Sequence, residues 1–226
     1  MSFRKALRRF GWCVALAGIV TTTGLAASAS LVTSRAALAG DDFIDWGQLG
    51  AEFDPITPPA GITTHSGSIA SVINPSGALY RVDQGSGSGG NFASGDRLLT
   101  TLFTPGPIRI VFAEGLSKVG AQIQVNGFGA FSGVISVYDA TGALLESHVV
   151  PGASNGRDDG SAIFLGVSRS SGDIRRVDFQ VSGSADPDFA INRVDLTSVP
   201  EPAMTASLMV GLSFIGLACS RGRARS

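Results

Sequence analysis

Lys118-Val119-Gly120-Ala121-Gln122-Ile123-Gln124-Val125-Asn126 decides the fold class. Val119, Ala121, Ile123 and Val125 fall on one side, and Lys118, Gln122, Gln124 and Asn126 on the other. That period of two marks a half-buried strand, because successive side chains leave a pleated backbone on opposite faces. The same alternation sets Val177, Phe179 and Val181 against Asp178 and Gln180. Working outward, the spacing predicts further strands over 68–73, 78–83, 97–103, 107–113, 133–139, 143–150, 162–167 and 189–196. Asp139-Ala140-Thr141-Gly142 reads as a hairpin turn, and 155–160 as a longer loop. Residues 84–95 are rich in Gly and Ser and read as a flexible surface loop, lacking apolar side chains to tie them down. About ten short strands with no amphipathic helix between them predict an all-β, two-sheet antiparallel sandwich, a jelly roll being the expected form.

Composition agrees. Thirty glycines, ten prolines and a charged fraction of 15% suit tight turns and short strands. Between residues 40 and 199 there are 9 basic and 17 acidic residues, a net charge of −8. A domain of that sign repels phosphate backbones, so nucleic acid is excluded as a partner. Cys13 and Cys219 both lie in apolar end segments, which leaves the domain between them without disulfides or a thiol nucleophile.

Both ends read as targeting sequence. Arg4, Lys5, Arg8 and Arg9 precede an apolar stretch over 11–29, the pattern of a signal helix. Ala37-Leu38-Ala39 supplies small residues at the −3 and −1 positions, so signal peptidase is expected to cut after Ala39; Ala27-Ser28-Ala29 has the same form and offers an earlier site. At the other end, 203–220 is uncharged and apolar, just long enough for a transmembrane helix, and Arg221, Arg223 and Arg225 in the tail 221–226 would hold that end in the cytoplasm. Val199-Pro200-Glu201-Pro202 stands immediately before it, and its two prolines keep the backbone extended and accessible. The expected organisation is therefore a signal peptide over 1–39, a β-sandwich ectodomain over 40–198 and a sorting segment over 199–226.

Val-Pro-Glu-Pro, a short apolar span and an arginine-rich terminus, in that order, resemble the PEP-CTERM sorting signal of exported proteins in Gram-negative bacteria, many of them makers of exopolysaccharide. The resemblance covers about the last 28 residues. It implies that a membrane-embedded exosortase reads Pro200, Glu201 and Pro202, removes the tail, and passes the protein from the inner membrane to the cell surface or matrix. The strand order from Phe112 to Leu196 is also similar to jelly-roll ectodomains found above such tails. There an Ile-Asp-like strand closes the domain, where this chain has Ile191-Asn192.

Several motifs imitate catalytic or binding sites. Gly152-Ala153-Ser154-Asn155-Gly156 fits the nucleophile elbow G-x-S-x-G, but no helix follows and His65 and His148 both precede Ser154, the reverse of the order that chemistry needs. Gly85-x-Gly87-x-x-Gly90 fits a dinucleotide fingerprint without the helix that would present its N–H groups to a phosphate. No cofactor is expected. Calcium is the one ion the loops suit, through Asp158, Asp159, Asp186 and Asp188, because a hard cation wants clustered oxygens. Glycosidase chemistry needs two converging carboxylates, and no pair stands out. Sugar recognition would use amphipathic rings, of which the domain has Trp46, Tyr80 and Tyr138. The expectation is a non-enzymatic structural or adhesive surface protein touching glycans or envelope proteins, with a calcium-supported carbohydrate-binding module as the alternative and a small glycan-active hydrolase as the third reading.

Overall fold

The computed structural model describes residues 29–86 and 88–199. The described chain forms fourteen strands: β1 (Ala29–Val32), β2 (Asp42–Ile44), β3 (Pro55–Ile56), β4 (Ala60–Thr63), β5 (Ile69–Ile73), β6 (Leu79–Asp83), β7 (Arg97–Thr100), β8 (Ile108–Val125), β9 (Gly129–Tyr138), β10 (Leu144–Ser154), β11 (Ile163–Arg169), β12 (Ile174–Ser182), β13 (Phe189–Ile191) and β14 (Val194–Ser198). One turn of helix, α1 (Arg35–Leu38), and a 3-10 turn at Trp46–Leu49 complete it. The paired strands run antiparallel, so the expected all-β class holds and the arrangement fits a β-sandwich.

β8 organises the whole. Its first half pairs with β5 on one side and β12 on the other, extending a layer ordered β4-β5-β8-β12-β9-β10. Its second half pairs with β11, which carries β1, and on its other edge with β14 and β13, which carry β2 and the run β7-β6-β3. The sequence alternation found both halves as separate strands over 107–113 and 118–126. They join through Ala113 and Glu114, which are exposed at the bend, and a strand that bends can serve two sheets. The inner faces of both layers meet in one core that includes Ile110, Val177, Phe179 and Ile135 from one layer and Val119, Ile123, Leu165 and Leu196 from the other. Gly133 is a point of closest approach: a Cβ there would stand 3.0 Å from methyls of Ile123 and Leu165.

A second, smaller core lies outside this one, where Val82, Leu98 and Ala190 are covered by Phe92 and Ala162. Phe92 sits in the segment read from sequence as a flexible loop. That reading needs correction, since Phe92 and Asn91 are 2% and 1% exposed and pin the loop to the sheet. The predicted strand over 189–196 is two strands, interrupted at Asn192 and Arg193. The Asp139–Gly142 turn is as expected, with the Asp139 carboxylate accepting from the N–H groups of Thr141 and Ala143 at 2.8 and 2.9 Å.

The fold begins earlier than residue 40. Ala29–Val32 pairs with β11 along its full length, and Leu38 in α1 is completely buried. The boundary expected after Ala39 thus falls inside the folded unit. Among the described residues no helix is long and apolar enough to cross a membrane; the expected signal helix up to residue 28 and the expected transmembrane helix over 203–220 lie outside the described residues.

Candidate functional site

Two surface features combine ligand-sized space with organised side chains. The first is a polar groove built over Asn192, which is fully buried in the break between β13 and β14. Its side-chain oxygen accepts from the Gln122 N–H at 3.1 Å and from Arg35 Nη2 at 3.1 Å; its Nδ2 donates to Asp96 Oδ2 at 2.9 Å and Gln122 Oε1 at 2.7 Å. All four hydrogen-bonding valences of the amide are used. The Asn192 carbonyl accepts the Trp46 indole N–H at 2.9 Å, so Trp46 is a fully buried core residue instead of an exposed sugar platform. Arg35 also donates to Asp195 and lies 5.8 Å over the Phe164 ring.

Around this hub opens a cavity of about 400 Å³ bordered by Ser34, Arg35, Asp96, Gln122 and Phe164. It shares Arg35 and Asp96 with a neighbouring cavity of about 310 Å³ that adds Asp45, Arg97 and Arg193. The groove offers both signs of charge, yet its carboxylates are already engaged. Asp45 accepts from Arg97 at 3.0 Å and from the Gly47 N–H at 2.6 Å, and the hydrogen bond to Asp45 raises the Arg97 guanidinium above its ordinary pKa. Such a surface can exchange hydrogen bonds with hydroxyls, and none of these groups is posed as a free acid or base.

The second feature is an aromatic ledge on the outer face of β6 and β7. Tyr80 and Thr100 are direct cross-strand partners there, and Val82 follows Tyr80 on the same face. Phe53 and Phe103 flank them. Both have positive φ, +64° and +67°, a conformation that bulky residues avoid. Both rings are exposed all the same, at 49% and 77%. The backbone is held from outside: the Phe53 N–H donates to the Arg81 carbonyl at 2.9 Å, and the Phe103 N–H donates to Asp188 Oδ2 at 2.9 Å. Thr101 donates its hydroxyl to the other Asp188 oxygen at 3.2 Å, and the Thr104 N–H closes the turn on the Thr101 carbonyl at 2.7 Å. The Phe103 ring meets Tyr80 edge-on, centroids 6.4 Å apart. Beside the ledge is a hollow of about 270 Å³ bordered by Phe53, Val82, Ser88, Thr100, Leu102 and Asn126.

The four aspartates expected to offer calcium ligands are not gathered. Asp158 accepts from the Gln84 amide. Asp159 accepts from Ser161, through hydroxyl and backbone, and from Asn91, which together hold its carboxyl below the ordinary range. Asp186 accepts the Asp188 N–H at 3.0 Å, and Asp188 clamps the Phe103 turn. Among the described residues no group of three or more His, Cys, Asp or Glu side chains could hold a metal ion. Ser154 is buried and its hydroxyl donates to the Gly127 carbonyl at 2.8 Å while accepting from Gln124; Gly152 to Ser154 belong to β10 and form no elbow. His65 stacks on Phe43, and His148 bonds Glu146. Ala37 and Ala39 lie on and just after α1. Val199 ends the described chain, with its N–H on the Gly115 carbonyl at 2.9 Å; Pro200, Glu201, Pro202, Arg221, Arg223 and Arg225 lie outside the described residues.

Sequence reading missed the ledge because a positive φ on Phe leaves no compositional mark. The groove is hidden because Arg35 falls within the span 1–39 that reads as a signal peptide.

No family model and no curated protein matches the chain. Among solved structures it is similar to a DUF4465 family protein from Bacteroides caccae, at 13% identity over 75% of this chain and 99% of that one, with a TM-score of 0.37. It is similar to CsCBM6-3 from Clostridium stercorarium, solved with cellobiose, at 10% identity over 66% and 98% of the two chains, TM-score 0.31. A glycoside hydrolase family 43 arabinoxylan arabinofuranohydrolase from Bacillus subtilis, solved with cellotetraose, matches at 13% identity over 66% of this chain and 29% of its own, TM-score 0.34. Likeness at that level carries no argument for what this chain binds.

Proposed function

We propose that this is an exported, non-catalytic surface protein whose jelly-roll domain holds polysaccharide, delivered by a PEP-CTERM-like tail to the cell surface or matrix. Signal peptidase and an exosortase are its processing enzymes, and glycan is its working partner. The observation that carries the glycan reading is the ledge at Phe53 and Phe103. Holding a bulky residue at positive φ costs about 1–3 kcal/mol, and such strain gathers where a side chain must be displayed. Here it turns two apolar rings to solvent, Phe53 at the hollow that Ser88 and Asn126 also border and Phe103 edge-on to Tyr80. An aromatic ring next to hydrogen-bonding groups matches a sugar, which has an apolar C–H face and a rim of hydroxyls. No cofactor or metal enters this reading.

The test is affinity electrophoresis through gels containing neutral or acidic polysaccharide fractions purified from the producing cells' matrix. The wild-type domain is expected to be retarded by a neutral fraction. Phe53→Ala and Phe103→Ala should each weaken retardation, and together by about tenfold or more, since an aromatic contact adds about 0.5–1.5 kcal/mol beyond its buried area. Their melting temperatures should not fall, because the replaced rings are exposed. Retardation by no fraction, or unchanged retardation of the double variant, overturns the reading.

A further inference from the structure

We infer that export cuts this chain between Ala29 and Ser30, and that residues 30–39 remain as a working part of the mature domain. The inference rests on the export reading above and goes beyond it, because it fixes which chain folds.

Ser30, Leu31 and Val32 pair with Ser168, Val167 and Gly166, covering the outer edge of β11. Next, the Ser34 hydroxyl accepts the Ala37 N–H at 3.2 Å and starts α1, and Ala39 ends it in the left-handed region with its N–H on the Arg35 carbonyl at 3.1 Å. This capped turn drives Leu38 into the core, where it is fully buried against Gly166; a Cβ on Gly166 would stand 3.1 Å from Leu38 Cδ1. Gly40 then lies flat on β14, with Leu196 O 2.9 Å from where its Cβ would be. Arg35 supplies the groove's contacts to Asn192, Asp195 and Phe164.

Signal peptidase meets its substrate unfolded, so both small-x-small sites are open to it and the products distinguish them. A product starting at Gly40 leaves β11 as a bare edge, empties the Leu38 site, removes Arg35 from Asn192 and deletes one wall of the larger cavity. A product starting at Ser30 loses only the terminal Ala29–Arg169 pair of β1.

The experiment expresses the full chain with its own N-terminus in a Gram-negative host and reads the N-terminus of the exported product by intact mass and terminal sequencing. Ser30 is the expected first residue. Ala29→Leu, which places a bulky residue at −1, should block that cut, whereas Ala39→Leu should leave the product starting at Ser30. A wild-type product starting at Gly40, and its loss in Ala39→Leu, overturns the inference while leaving export intact. Chains that keep Met1 in every fraction overturn the export reading itself.

Discussion

At Asn192 an amide does what the isosteric carboxylate cannot. Its Nδ2 donates to Asp96 Oδ2 at 2.9 Å and Gln122 Oε1 at 2.7 Å, both acceptors. Asn192→Asp would turn those two hydrogen bonds into contacts between oxygens inside a fully buried site, and Arg35 on the far side would offset only part of the loss. The expected destabilisation is about 3 kcal/mol, read from urea unfolding. Adding Asp96→Asn exchanges donor and acceptor between the two positions and should recover a substantial part, a coupling that additive changes would not show. Unfolding of Asn192→Asp at the wild-type urea midpoint would remove the hub from this account. The position was visible in the sequence as a departure from an Ile-Asp pattern, but its partners lie far from it along the chain, and only the fold shows why an amide is needed.

Among the elements, alternation marks β8 and β12, which have one face on the core, while β7 and β13, buried on both faces between the main and the smaller core, are legible only as short apolar runs. Alternation could not show that 107–113 and 118–126 are one strand, since continuity through Ala113, Glu114 and Gly115 depends on what packs over the bend. Gly115 shows the cause: a Cβ there would stand 2.0 Å from the Gly172 carbonyl oxygen, so the turn before β12 rests directly on the bend's backbone. Gly115→Ala must push the two backbones apart and is expected to cost about 2–3 kcal/mol in thermal or urea unfolding. Gly61→Ala, on β4 with nothing within 4 Å of the new methyl, is the matched control and should change stability by less than about 0.5 kcal/mol. Equal effects at the two positions would mean that the bend tolerates a side chain. β1 is hidden for another reason: it lies in the segment that reads as the end of the apolar leader, and its pairing with β11 and the burial of Leu38 separate it from that leader.

On the scale of the whole chain, the fold and the tail meet at one residue. The Val199 N–H is held by the Gly115 carbonyl, and its side chain lies so close to Gly172 that a Cβ there would stand 2.5 Å from Val199 Cβ. Pro200-Glu201-Pro202 follows at once. Neither proline carries an N–H that could donate to the ladder of β14. Glu201 is the one charged side chain between the domain and the apolar span over 203–220. Under the proposed sorting mechanism, Glu201→Ala removes the charge an exosortase would read without touching a described contact. The variant should therefore fold with the wild-type melting temperature and bind polysaccharide as the wild type does, yet accumulate in the membrane fraction at full length by immunoblot and intact mass. Release of the variant at the wild-type rate would separate the tail from sorting, and under the proposed function the domain would then need another route to the surface.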